Sequence, residues 1–298
     1  MSTNEPNTTA TQPTQAPKRK KQDLFDMPII GYFMLTLFGY MVVNVSAIGD
    51  TIMAFFIPGY GTNMSFAGRQ IPIASGVCVG VVALAACAVF WFFFKPEFKG
   101  MLRGKFLLKG ILLLLPVLLI HWAGSVVSWF EWGHAGAYGI FIALLRAVAP
   151  GFGEEVTFRG LGISNYMRTI KDESGIVKIW LLSSAVFGAI HFSNVMAGAP
   201  VLVTLIQSVY AMGIGMALGA AFLRTGNLWA CILVHMSLDF MEFIRTDLNG
   251  SGGIMSNMGV GDWITIGAGA VAAIWGFYLI RKSVRPDIMA LWKAKWEI

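Results

Sequence analysis

The sequence predicts an all-α, polytopic membrane protein, with about eight transmembrane helices around an intramembrane polar cavity. Three observations lead there. Of 298 residues, 56% are apolar and 13% charged, about half the charged share of a soluble domain. Runs such as 76–94, 107–120 and 264–280 approach or reach the ~20 apolar residues that cross a bilayer. Lys and Arg gather in alternate connecting segments, the pattern that fixes membrane orientation. The net charge of +6 follows from those segments and does not signify nucleic-acid binding.

Residues 1–24 read as a disordered polar and basic tail. They are rich in Thr, Gln, Asn and Pro, end close to Lys18-Arg19-Lys20-Lys21, and cannot bury a core. The basic cluster sets topology and meets anionic lipid. No cleavable signal is expected, because no short apolar core precedes a small-residue site. Candidate spans follow at 28–47, 72–94, 106–130, 138–168, 177–192, 201–222, 228–244 and 263–280. The fourth is overlong and punctuated by Pro150, Gly151 and Gly153. It is either a kinked helix or two pieces meeting there, tolerable at membrane depth only where protein or a cavity receives the freed backbone. With the N-terminus inside, all Lys and Arg except Arg69, Arg146 and Arg245 fall on the inner side, so both termini are expected in the cytoplasm.

Within the fourth span, Glu154, Glu155 and Arg159 place three charges in six residues. Each costs about 2.5–3.5 kcal/mol at mid-bilayer on insertion scales, more than a structural role repays. Glu155 and Arg159 are four apart and share a helix face. Glu154 points about 100° away and is the carboxylate left for chemistry. Two further clusters interrupt apolar spans: Phe187-x-x-x-His191 and His235-x-x-x-Asp239, each with its ends on one face. Glu154 lies 18 residues before Asp172 in the turn Lys171–Gly175, and His191 lies 19 after it. Two α-helical arms of about 1.5 Å per residue would bring them to similar depth.

A carboxylate and an imidazole together deprotonate water, while a second imidazole polarises a carbonyl oxygen. The same residue types also fit Zn²⁺ with a carboxylate base. A compact His-Glu-x-x-His pattern is absent, as is any Ser in a Gly-x-Ser-x-Gly context. His121 and His134 have no such company and read as structural. So do Cys78, Cys87 and Cys231, which show no ligand spacing. Glu242 reads as snorkelling, Arg146 as paired or facing the cavity, and Gly215-x-x-x-Gly219 as a close helix-packing seam.

In order, Glu154-Glu155-x-x-x-Arg159, Phe187-x-x-x-His191 and His235-x-x-x-Asp239 resemble the motifs of the CPBP intramembrane proteases. That family comprises CAAX prenyl endopeptidases and bacteriocin-processing or abortive-infection-type proteins. The resemblance covers 138–245, expected to be the catalytic membrane core. Residues 25–137 would be N-terminal helices, and 246–298 the last transmembrane helix with a basic cytoplasmic tail. It implies that Glu154 and His191 activate water, that His235 and residue 239 form the oxyanion side, and that Glu155, Arg159 and Phe187 support them. Residue 239 is Asp here, where the CAAX endopeptidases of the family have Asn. An ionised Asp only accepts hydrogen bonds, so Asp239 either orients His235 or ligates a metal.

The expected activity is hydrolysis of a peptide bond in a membrane-associated or lipidated peptide, in a bacterial plasma membrane. Partners are that peptide or protein and membrane lipid, with no nucleic acid. No obligatory cofactor is expected; the alternative is Zn²⁺ on His191, His235, Asp239 and Glu154. Competing readings are a proton-coupled transporter and a non-catalytic scaffold or immunity protein of the same fold. No inverted repeat supports the transporter.

Overall fold

The computed structural model describes residues 24–41, 63–66, 69–72, Ala85, Ala88, Phe92, 106–132, 136–195, 200–249 and 259–296. The protein is a polytopic bundle of helices. Helix α1 is Pro28–Met41, followed by a small antiparallel hairpin of β1, Asn63–Phe66, and β2, Arg69–Pro72. Then come α2, Leu107–Trp132, and α3, Ala137–Val148. Wide-turn π segments follow at Ala149–Glu154 and Val156–Ile163, continued by α4, Ser164–Arg168. The remaining helices are α5, Glu173–His191; α6, Val201–Thr225; α7, Leu228–Asn249; α8, Val260–Leu279; and α9, Arg285–Trp296.

Among the described residues, four segments are long and apolar enough to cross a bilayer on length and composition alone: Leu107–Phe130, Glu173–Val195, Val201–Thr225 and Val260–Leu279. Large side chains such as Phe33, Leu37, Leu108, Leu119, Ile274 and Phe277 stay exposed on the outside of the bundle, as lipid-facing residues do. Helix α7 carries its polar residues inward and so misses a purely compositional threshold. All of the second expected span except Pro72, Ala85, Ala88 and Phe92, together with the tail 1–23, Cys78, Cys87 and His134, lies outside the described residues. The expected tail after α8 is instead partly a helix. In α9, Ile288, Met289 and Trp292 are buried, and the Trp292 indole donates to Leu223 O at 2.9 Å.

Turn chemistry sets the helix ends. The Asp172 carboxylate accepts from the Ser174 and Gly175 amides at 2.8 and 3.3 Å and caps α5. Gly226, at φ 56°, ends α6 in the left-handed conformation that costs glycine least. Indole N–H groups then tie helices together: Trp180 to Met216 O at 2.8 Å, Trp275 to Leu113 O at 2.7 Å and Trp296 to Ser164 O at 3.1 Å.

One end of the bundle collects the basic side chains. Arg168 bonds Asp26 at 2.7 Å and lies over the Trp296 ring. Arg224 and Arg281 are electrostatic neighbours, and Lys295 lies against Gly226. At the opposite end the C-terminus of α5, the N-termini of α6 and α8 and the outer half of α7 surround a cavity of about 190 Å³.

Candidate active site

The expected break in the fourth span takes the form of two π segments flanking Glu155, with Pro150 in the first turn. The Arg159 carbonyl accepts from the Ser164 amide five residues on, the i→i+5 bond that defines such turns, and from the Ser164 hydroxyl at 3.3 Å. π turns inside helices are rare and favour functional positions. They also hold more residues per turn, so this stretch advances less along its axis than an α-helix and rotates its side chains off the α register.

Glu155 is tied on two sides. Its Oε1 accepts from Arg159 Nη1 at 2.9 Å and from His235 Nδ1 at 2.8 Å. Both Glu155 and Arg159 side chains are 0% exposed, so neither charge has water to fall back on. The guanidinium is completed by Nη2 donating to Gly215 O at 3.2 Å, and its Cζ lies 4.3 Å from the Phe187 ring centre. Gly215 permits this: a Cβ there would meet Phe187 and Arg159 Nη2. Of the glycine pair of α6, Gly215 gives the close approach that the spacing suggests, with the buried cation docked against it, whereas a Cβ on Gly219 would make ordinary contact with Trp180 at 3.5 Å.

Phe187 joins the clusters physically. Its ring packs edge-on against Phe158, His191 and His235 at centre distances of 5.3, 5.1 and 5.7 Å. The Phe158–Phe187 contact places the two arms of the hairpin around Asp172 side by side. His191 Nδ1 donates to Phe187 O at 2.8 Å; a carbonyl only accepts, which fixes a proton on Nδ1, so that in the neutral form the lone pair is on Nε2. His235 Nε2 lies 3.4 Å from Asp239 Oδ2, one helical turn on.

His191, His235, Asp239 and Phe187 all line the cavity. Glu154 is not among its lining residues, and neither hydrogen bond nor ion pair joins it to His191 in this conformation. It sits within electrostatic reach of His235 and Asp239, and its Oε2 is buried without a hydrogen-bond partner among the described residues, as is Glu155 Oε2. The π winding accounts for the difference from the depth-matching argument, which assumed α geometry throughout.

The cavity also gathers residues that sequence spacing did not. His121 of α2 is buried and lines it, with its ring 6.2 Å from Tyr210. Glu242 lines it rather than snorkelling, as do Gln207 of α6 and Asp262 and Thr265 of α8. The Arg146 side chain lies outside the described residues. His121 had a readable signal, an ionisable group in mid-span; Asp262 did not, because it also caps α8 by accepting from the Gly259 amide at 2.9 Å. Cys231 is buried, its thiol directed to Leu218 O at 3.4 Å.

As a metal site the arrangement does not fit. Among the described residues no three His, Cys, Asp or Glu side chains converge at ligand spacing, and both nitrogens of His235 already face carboxylates.

Helix α7 is held in place by glycine. A Cβ on Gly151 would strike the Met236 side chain and come within 2.7–2.8 Å of its backbone N and Cα. Only glycine lets the fourth span approach α7 one residue from His235 and present Glu155 to the imidazole.

No curated protein and no solved structure matches this chain. Residues 135–241 match the family model of type II CAAX prenyl endopeptidase Rce1-like proteins, a segment that holds Glu154, Glu155, Arg159, Phe187, His191, His235 and Asp239. Over these residues the chain is similar to the type II CAAX prenyl endopeptidase Rce1-like family, which the three motifs also resemble.

Proposed function

We propose that this protein is an intramembrane endopeptidase that hydrolyses a peptide bond of a membrane-associated or lipidated substrate, with its termini in the cytoplasm of a bacterial plasma membrane. The observation that carries the reading is the His191 tautomer. Anchored through Nδ1 to a backbone carbonyl, it keeps a basic Nε2 on a cavity that also holds His235 and Asp239. In this scheme Nε2 takes a proton from water as the oxygen attacks the substrate carbonyl carbon. The developing oxyanion accepts from the His235 Nε2–H, which faces Asp239 Oδ2 at 3.4 Å in the free protein, and the protonated His191 passes the proton to the leaving amine as the C–N bond breaks.

Glu154 is the second base of this scheme. A buried carboxylate oxygen without a partner costs about 1–3 kcal/mol, and such an atom calls for a functional account. A reacting water shared with His191 supplies one when Glu154 turns into the cavity, which it does not line in the free protein. Asp239, an acceptor only when ionised, orients His235 rather than binding the oxyanion directly. Glu155 and Arg159 hold His235 in place.

The test is a purified, lipid-reconstituted preparation incubated with a peptide library and read by mass spectrometry. Wild type is expected to cleave, and His191→Gln to lose roughly 10²–10⁴-fold in rate, the usual share of a general base, with an unchanged melting temperature. Equal cleavage by both proteins would refute the scheme.

A further inference from the structure

We infer that the substrate peptide reaches this cavity from the side of the membrane opposite the basic end, so that the natural substrate is an extracytoplasmic peptide or the outer juxtamembrane segment of a membrane protein. The inference rests on the peptidase reading above and on placing the basic end in the cytoplasm.

Depth is read helix by helix from that end. On α6 the lining residues run from Ile214 to Val203, 11 and 22 residues before Thr225, or roughly 16 and 33 Å at the rise of an α-helix. On α5, His191 lies 18 residues beyond Glu173, roughly 27 Å. On α7 they run from His235, roughly 10 Å from Leu228, to Glu242, roughly 21 Å. Asp262, Thr265 and Ile266 belong to the first two turns of α8, which starts at the far end. With a hydrocarbon core of about 30 Å, the cavity starts roughly 10–16 Å from the basic end and extends to the outer face. Among the described residues that line it none is Lys or Arg, although such residues crowd the other end.

Exposure changes in the same direction. At the deep end Phe187, Ala211, Ile214 and His235 are buried, at 1–5% exposure. Towards the start of α6, Val203 and Ile206 are half-buried and Gln207 is exposed. Among the described residues the accessible end is thus the one remote from the cytoplasmic cations. A cytosolic prenylated C-terminus would have to cross the buried layer of Arg159, Phe187 and Glu155 to reach His191. A segment entering from outside meets His191 and Gln207 first.

The experiment uses the full chain in intact bacterial cells, with Cys78→Ala, Cys87→Ala and Cys231→Ala as background. Gln207→Cys and Val203→Cys report the cavity mouth, and Ser283→Cys, exposed at the basic end, reports the other face. The probe is a membrane-impermeant maleimide. Expected is labelling of Gln207→Cys or Val203→Cys in intact cells, with Ser283→Cys labelled only in inverted vesicles. Labelling of the mouth only in inverted vesicles overturns the inference. So does silence of both mouth positions from both sides while the denatured proteins react. Labelling reads access and not hydrolysis. An inactive but outwardly labelled protein would therefore sink the peptidase reading alone, and an active one labelled only from the cytoplasmic face would sink this inference alone.

Discussion

His235 Nδ1 donates to Glu155 Oε1 at 2.8 Å across a sequence separation of 80 residues. This bond links the fourth span to α7 and uses the same carboxylate oxygen that Arg159 binds at 2.9 Å. One acidic side chain therefore accepts from two donors, a guanidinium and an imidazole, in the protein interior, and its neighbour Glu154 is spared that duty.

The two adjacent glutamates should respond differently to mutation. Glu155→Ala would leave the buried Arg159 and His235 without their acceptor, and breaking a buried ion pair costs about 3–5 kcal/mol. A large fall in detergent-solubilised yield and melting temperature is expected. Glu154→Gln should keep the wild-type melting temperature and lose roughly 10²–10⁴-fold in peptide cleavage. Equal losses of folded protein would contradict this division of roles.

Gly151→Ala tests how α7 is positioned. The added methyl meets the Met236 backbone, and overpacking of this kind costs about 1–3 kcal/mol. Activity should fall with stability as His235 is pushed from Glu155. Gly267→Ala is the control: no atom lies within 4 Å of its Cβ position, and alanine in a helix gains about 0.5–1 kcal/mol over glycine. Thermal unfolding of the two variants should shift in opposite directions.

The turn before α5 offers a pH test. The Asp172 carboxyl is held below its ordinary value of 3.8, first by the Ser174 hydroxyl and then by the Gly175 and Ser174 amides. A depressed folded pKa means the cap stabilises above the unfolded value and is lost as pH falls through the folded one. Asp172→Ala should therefore lower the melting temperature at neutral pH, and the gap from wild type should close in acid below the ordinary Asp range. A gap that persists there would mean that the loss is not due to the ionised cap.

Chelation tests the metal alternative. After dialysis against a strong chelator and confirmation of metal removal, cleavage is expected to persist, because His235 already presents both nitrogens to Glu155 and Asp239. Loss of activity that returns only with stoichiometric Zn²⁺ would recast Asp239 as a ligand.

Much of this protein was decided by the sequence itself. Apolar run lengths define the membrane helices, since a bilayer accepts only backbones that satisfy their own hydrogen bonds. The four-residue spacings of Glu155 with Arg159, Phe187 with His191 and His235 with Asp239 are local, and helix geometry turns each into a contact. Asp172 two and three residues before its amide partners marks the start of α5 for the same reason. Tertiary structure decided what no local spacing encodes. The clearance between Gly151 and Met236 sets the position of α7, and with it which glutamate meets His235. The π winding, stabilised by packing along a buried face, takes Glu154 out of the α register that linear spacing implied. His121, Glu242 and Asp262 come from α2, α7 and α8 to one cavity because helix rotation about the bundle axis is fixed by neighbours distant in the chain. A sequence read along one helix carries no record of that rotation.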